Sequence, residues 1–282
     1  MRNRISFIGV GNMATAILNG ITTKDCDPVQ WADIVLYDRD EDKIKKYAAM
    51  GAYIARDIID AVAISDCVIL CVKPQNFPDV LPIISSVDGI ESKLVISIAA
   101  GITTESIAPS VKNAPIVRVM PNTPMLIGQG VSALCRTANV SDEDFEFACK
   151  IFASAGKIIK ISEDEMNKII CVTGSSPAYI FMVIKAMLDA AVNQGLLKTD
   201  DSSASLEKKE LLDAICDTLI GSATLVKASD KTLDELISMV CSKGGTTEQA
   251  VAELESFKLY EAFDSAMDKC TKRAYELGNA KK

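Results

Sequence analysis

Short runs of β-branched and apolar residues recur along the first half of the chain, separated by segments of helical length. Ile5–Ile8, Ile34–Leu36, Cys67–Val72, Leu94–Ile98 and Pro115–Met120 are predicted strands, each followed by turn-forming residues. That alternation predicts βαβ units and a parallel sheet covered on both faces. Val131–Cys135 and Lys157–Ile161 are predicted to add strands at the sheet edge. From Ser162 the pattern changes, and Ser162 with Glu165 makes a predicted capping box. Beyond it apolar residues recur at intervals of three and four: Leu212, Ile215, Leu219, Ala223 and Val226, then Phe263, Met267, Cys270, Ala274 and Leu277. Asp200, Asp201, Ser202 and Ser203 read as a polar break between helices. The predicted architecture is α/β: a doubly wound parallel sheet over residues 1–162, followed by an all-α domain over residues 163–282.

One predicted helix, Pro177–Gly195, is polar only along a narrow stripe of Lys185, Asp189 and Asn193. A helix apolar over most of its circumference must be covered on several sides. So small a domain has few other helices to do this, and a second subunit is the expected cover; a central helix in a monomeric bundle is the other reading. No apolar stretch is read as reaching the roughly 18–20 residues that span a bilayer, because Lys185 and Asp189 interrupt this one.

Composition narrows the chemistry. The formal net charge of −8 over 282 residues argues against nucleic acid or an anionic membrane as partner. The chain has no histidine, which removes the commonest general acid/base, the commonest metal ligand and every Ser-His-Asp or Cys-His device. No metal site is expected. Chemistry must use Lys, Tyr, Ser, Thr, carboxylates, backbone amides, or a proton that the substrate carries itself. The nine cysteines show no close pairing, and the N-terminus enters a short strand without a signal-peptide core. Reduced thiols and a cytoplasmic location are the expectation.

Gly9-Val10-Gly11-Asn12-Met13-Ala14 follows a predicted strand and opens a predicted helix. This is the Gly-x-Gly-x-x-Ala form of the Rossmann dinucleotide fingerprint. Gly9 serves the tight turn, Gly11 lets the backbone approach a pyrophosphate, and Ala14 allows close helix–strand packing. The free N–H groups of the helix N-terminus then face the pyrophosphate. Asp38, after the second strand, suits the adenosine ribose hydroxyls and inclines the reading to NADH. Arg39, with Arg56, is the feature that would instead attract the 2′-phosphate of NADPH.

Ligands of such sheets lie beyond the carboxyl ends of the strands. Lys73-Pro74-Gln75, Ala99-Ala100-Gly101 and Pro121-Asn122-Thr123-Pro124 all fall there. In the helical part, Thr173-Gly174-Ser175-Ser176-Pro177 precedes the apolar helix. Gly244-Gly245-Thr246-Thr247 precedes a later helix, and its backbone donors make a ready carboxylate site. A capping box between Thr246 and Gln249 is compatible with that use.

Taken together and in order, the glycine fingerprint, Val72-Lys73-Pro74-Gln75, Ser97-Ile98-Ala99-Ala100-Gly101, Arg118-x-Met120-Pro121-Asn122-Thr123-Pro124, Gly174-Ser175-Ser176-Pro177-Ala178-Tyr179 and Gly244-Gly245-Thr246-Thr247 resemble pyrroline-5-carboxylate reductase. The resemblance covers essentially the whole chain. It implies reduction of a cyclic imine to L-proline by hydride from NADH or NADPH, the last step of proline biosynthesis. It also implies a Rossmann domain followed by a helical domain for dimerisation and substrate binding, with dimers at least and rings of dimers in many members. By position, Gly9, Val10, Gly11, Asn12, Met13, Asp38, Val72, Lys73, Pro74, Ala99, Ala100 and Asn122 would line the cofactor, with Arg39 beside them. Ser175 and residues Gly244, Gly245, Thr246 and Thr247 would hold the substrate, Thr247 near the imine nitrogen, and Glu163 would lie close to it. Ser176, Lys243 and Ile58 depart from the family pattern.

A protonated imine already accepts hydride readily, so the protein chiefly orients two reactants. That suits a chain without histidine. Two other readings bear on the same residues. A β-hydroxyacid dehydrogenase would carry a helical Lys followed four residues on by Asn, but Lys168 is followed by Val172 and Lys185 by Asp189. A non-catalytic dinucleotide-binding redox sensor would have no use for the carboxylate site at residues 244–247.

Overall fold

The computed structural model describes residues 4–23, 29–197 and 206–279; the polar break at Asp200 to Ser203 lies outside them. Eight strands form one sheet: β1 (Ile5–Ile8), β2 (Ile34–Tyr37), β3 (Tyr53–Ile54), β4 (Cys67–Leu70), β5 (Leu94–Ser97), β6 (Ile116–Met120), β7 (Gly130–Arg136) and β8 (Gly156–Lys160). Their order is β3-β2-β1-β4-β5-β6-β7-β8. Every pairing is parallel except β6 with β7. Chain order reverses between β1 and β4, which is the switch point of a doubly wound sheet.

Alternation along each strand feeds two cores. Phe7, Ile34, Leu36, Ile69, Ile96 and Val117 join the α1 and α6 side, whereas Ile8, Val35, Val68, Leu70 and Val95 join the side of α3 and α4. These helices are α1 (Asn12–Ile21), α3 (Ile58–Ala63), α4 (Phe77–Ser85) and α6 (Asp142–Ala153); α2 (Lys45–Ala48) and α5 (Thr104–Ile107) are single short turns. Burying each such side chain contributes roughly 1.5–3 kcal/mol, so a one-residue slip would cost both cores at once.

The remaining helices are α7 (Glu163–Ile169), α8 (Ser176–Asn193), α9 (Lys208–Ala228), α10 (Leu233–Val240), α11 (Thr246–Ser256) and α12 (Leu259–Asn279). Ser162 caps α7 in the expected box with Glu165. Residues 173–177 do not interrupt the helix. A π turn, Ile170–Gly174, joins α7 to α8. The result is one helix of 31 residues, Glu163–Asn193, long and apolar enough by length and composition to cross a membrane. That corrects the expectation that no such stretch exists: the two charges that interrupt it, Lys185 and Asp189, pair with each other one turn apart.

By compactness the chain forms one unit of Met1–Pro177 with Met267–Lys282 and another of Ala178–Ala266. The unit carrying the sheet therefore extends past residue 162 through α7 and takes in the end of α12. In the second unit Leu211, Ile215 and Leu236 are buried, and Tyr179 meets Phe263 edge-on at 6.4 Å.

Candidate active site

The parallel register of β1, β2, β4, β5 and β6 puts their carboxyl ends on one edge of the sheet. Gly9 to Met13, Asp38, Val72 to Pro74, and Ala99 with Ala100 follow those ends, so the structure brings these expected residues together. Gly9 has φ +92°, and a Cβ there would stand 3.1 Å from Val72 and 3.2 Å from the Cys71 carbonyl carbon. Only glycine fits without strain. A Cβ at Gly11, by contrast, would meet nothing within 4 Å, so open space lies against the backbone there. Gly11 is the N-cap of α1 and offers no side-chain cap, which leaves the first-turn N–H groups facing that space. A dinucleotide pyrophosphate fits these donors.

Asp38 is tied into this turn. Its Oδ2 accepts the Val10 N–H at 2.6 Å and its Oδ1 accepts the Asp40 N–H at 2.9 Å. Lys43 stands 3.8 Å from the same carboxylate. Arg39 is exposed, and Arg56 is engaged with Asp60. Ile58 is a buried member of the second core, which accounts for an apolar residue at that position.

Asn122, expected to line the cofactor, also has its side chain tied into the fold. It is 8% exposed; its Oδ1 accepts the Val131 N–H at 2.8 Å and its Nδ2 donates to the Thr173 carbonyl at 3.0 Å. Both ends of the amide are committed within the fold. Glu163 is likewise engaged. Its Oε1 accepts from Arg118 Nη1 at 2.7 Å and from the Thr104 N–H at 3.3 Å, while the Cys135 thiol donates to Oε2 at 3.0 Å. Arg118 Nη2 donates to Asn167 Oδ1 at 2.8 Å. Burial raises the Glu163 pKa, but the Cys135 thiol, the Arg118 guanidinium and the Thr104 N–H outweigh it and hold the carboxyl below its ordinary range.

Arg118 and Asn167 were assigned no role by sequence. The available signal was a guanidinium set between Val117 and Val119 in a strand, since a buried arginine demands partners. Cys270 is a third such residue. Its thiol donates to the Ser175 hydroxyl at 3.3 Å.

In the other unit, Gly245 is the N-cap of α11 and Thr246 its first residue, with no side-chain cap. The expected box between Thr246 and Gln249 is not formed, because Thr246 already lies inside the helix. The Gly244 N–H instead donates to the Glu248 carboxylate at 2.7 Å. Among the described residues, no group of three or more His, Cys, Asp or Glu side chains could hold a metal ion.

Comparison with known proteins follows the same division. The family model for pyrroline-5-carboxylate reductase dimerisation matches residues 163–277. A model described as NADP oxidoreductase, coenzyme F420-dependent, matches residues 4–101. The pyrroline-5-carboxylate reductase of Escherichia coli is 34% identical over 282 residues, 99% of this chain and 100% of that one. That of Haemophilus influenzae is 33% identical over 278 residues, 97% of each chain. The structure of Plasmodium falciparum pyrroline carboxylate reductase with NADP bound matches with a TM-score of 0.86 at 26% identity, covering 99% of both chains. A reductive aminase from Aspergillus terreus shares the fold alone, with a TM-score of 0.59 at 15% identity. Matched from end to end in sequence and in fold, this chain belongs to the pyrroline-5-carboxylate reductase family.

Proposed function

We propose that the chain reduces L-1-pyrroline-5-carboxylate to L-proline with NADH or NADPH, the closing step of proline biosynthesis. The observation that carries this reading is the full-length match to reductases of that name, in the sheet-bearing and the helical parts alike. The bound dinucleotide supplies the hydride. Residues Gly9 to Met13 would hold its pyrophosphate, Asp38 its adenosine ribose, and the backbone at Val72, Lys73, Pro74, Ala99 and Ala100 its remaining length. Hydride adds to the carbon of the C=N bond; the nitrogen, protonated beforehand, becomes the ring amine.

The α11 N-terminus at Gly244 to Thr247 would hold the substrate carboxylate, with Ser175 beside the ring and Thr247 near its nitrogen. Glu163 would act close by, through the charge that Arg118 fixes. The contribution of these groups is orientation, and no buried acid is required. Asp38 inclines the cofactor choice to NADH, since a carboxylate repels a 2′-phosphate.

The apolar surface of α8 supports a homodimer built on residues 163–282; rings of dimers and a cytoplasmic location belong to the same reading through the resemblance to the family. Phe181 and Met182 are 62% and 71% exposed in the single chain, as expected of side chains awaiting a second copy. The test is NADH and NADPH oxidation with pyrroline-5-carboxylate, run on the wild type and on Thr247→Ala. The wild type should turn over, and T247A should lose turnover while keeping cofactor affinity. Cofactor binding without turnover would remove the reductase reading, and T247A that lost cofactor binding would move the loop to the other ligand.

A further inference from the structure

Pro177 and Asn122 are linked through one carbonyl. In a regular helix the Thr173 carbonyl would accept the N–H four residues on, but residue 177 is proline and has none. The donor comes instead from Asn122 Nδ2, reaching from beyond the end of β6. At this point the helix widens, and the Ser175 N–H donates to the Ile170 carbonyl, five residues back, at 2.7 Å. Such π turns recur at functional sites, because they re-aim the residues that follow.

The rest of β6 reaches the same helix. Arg118, Met120 and Asn122 alternate along the chain: Arg118 holds Glu163 and Asn167, and a Cβ on Gly174 would come within 2.5 Å of the Met120 methyl. Asn122 thus completes a row of contacts that ends at Thr173 and Gly174, the residues just before Ser175. The Ser175 hydroxyl accepts from Cys270, which leaves its own proton to give.

We infer that Asn122 is a positioning residue for Ser175, acting by supplying Thr173 with the hydrogen bond that Pro177 withholds. This rests on the reading of Ser175 as a group that touches the imine substrate. The role differs from that of a cofactor ligand, and kinetics separate the two.

The experiment is a double-mutant cycle of Asn122→Asp and Pro177→Ala, read as KM for pyrroline-5-carboxylate, KM for the nicotinamide cofactor, and thermal midpoint. Aspartate keeps the acceptor for Val131 but loses the donor to Thr173, and alanine at 177 returns an N–H to that carbonyl. N122D should raise the imine KM about tenfold, the scale of one lost hydrogen bond to a buried acceptor, with cofactor KM within about twofold. In the P177A background the same change should cost less than about threefold. If N122D alone does not fold, folding of the double variant supports the link, and failure of both overturns it. Equal effects in both backgrounds, or an effect confined to the cofactor KM, also overturn it. A wild type inert toward the imine would remove the functional reading and with it the role of Ser175, a result distinct from additivity in the cycle.

Discussion

The carboxylate of Asp38 and the N–H of Val10 meet at 2.6 Å, so the end of β2 holds the shape of the glycine turn after β1. One side chain therefore bears on two properties, the charge seen by an adenosine ribose and the geometry of the pyrophosphate loop. On the proposed reading of Asp38, Asp38→Ser should raise NADPH use relative to NADH while weakening both cofactors. Losing a hydrogen bond to a charged acceptor costs about 1.5–3 kcal/mol, so KM for NADH should rise roughly tenfold or more. Initial rates with both cofactors check this. A variant that gained NADPH use with an unchanged NADH KM would show that the turn does not depend on Asp38.

The buried Arg118 and half-buried Glu163 should behave as a unit. Arg118→Met leaves the Glu163 carboxylate and Asn167 short of their partner, and should cost about 2–3 kcal/mol, at or below the lower end for a buried pair because Glu163 is partly solvated. Glu163→Gln keeps an acceptor for Arg118 but loses the charge. Since the folded Glu163 pKa lies below its unfolded value of about 4.5, its contribution is complete above that pH and is lost as pH falls through the folded value. The wild type's advantage over E163Q in thermal midpoint should accordingly shrink below about pH 4.5. A constant advantage down to pH 3 would contradict the pairing.

Burial, first, and the neighbouring Glu163 carboxylate push the Cys135 thiol far above its usual range; burial alone does the same for Cys71. Neither should react with iodoacetamide at pH 8 in the folded protein, since the thiolate is the nucleophile. Mass mapping of alkylated peptides, with and without denaturant, provides the measurement. Rapid labelling of Cys135 in the native state would mean that its contact with Glu163 is not kept in solution.

Phe181→Glu places a charge on the exposed apolar surface of α8. If that surface is the subunit contact, light scattering should report a monomer where the wild type is at least a dimer. Fold should be retained, because Phe181 is outside both sheet cores. A dimer that survived this change would place the contact elsewhere.

Much of this molecule could be read from its residues, and the exceptions share a cause. Ile5–Ile8 begins and ends where the pattern puts it, because a strand buried on both faces is apolar but for the small Ser6, and glycine stops it. Cys67–Val72 shortens to Leu70, since Cys71 and Val72 are apolar for a different reason, the passage over Gly9. Tyr53–Ile54 is too brief for any periodicity to reveal. The π turn has no local signature, because Gly174, Ser175, Ser176 and Pro177 are turn formers, and the donor to the Thr173 carbonyl lies beyond the end of β6. The same holds for Glu163, whose surroundings come from β6, β7 and the start of α5. Local pattern reports local structure; hydrogen bonds between distant segments leave no periodic trace.

The end of α12 belongs to the compact unit that carries the sheet, where a Cβ on Gly278 would come within 2.6 Å of the Gly101 carbonyl oxygen. Gly101 follows β5, on the edge where the dinucleotide loops gather. During synthesis, therefore, the nucleotide-binding half waits for residues that leave the ribosome after all of Ala178–Ala266. Its last packing surface arrives only when the helical part has already been made, so the order of translation and the order of completion run opposite ways.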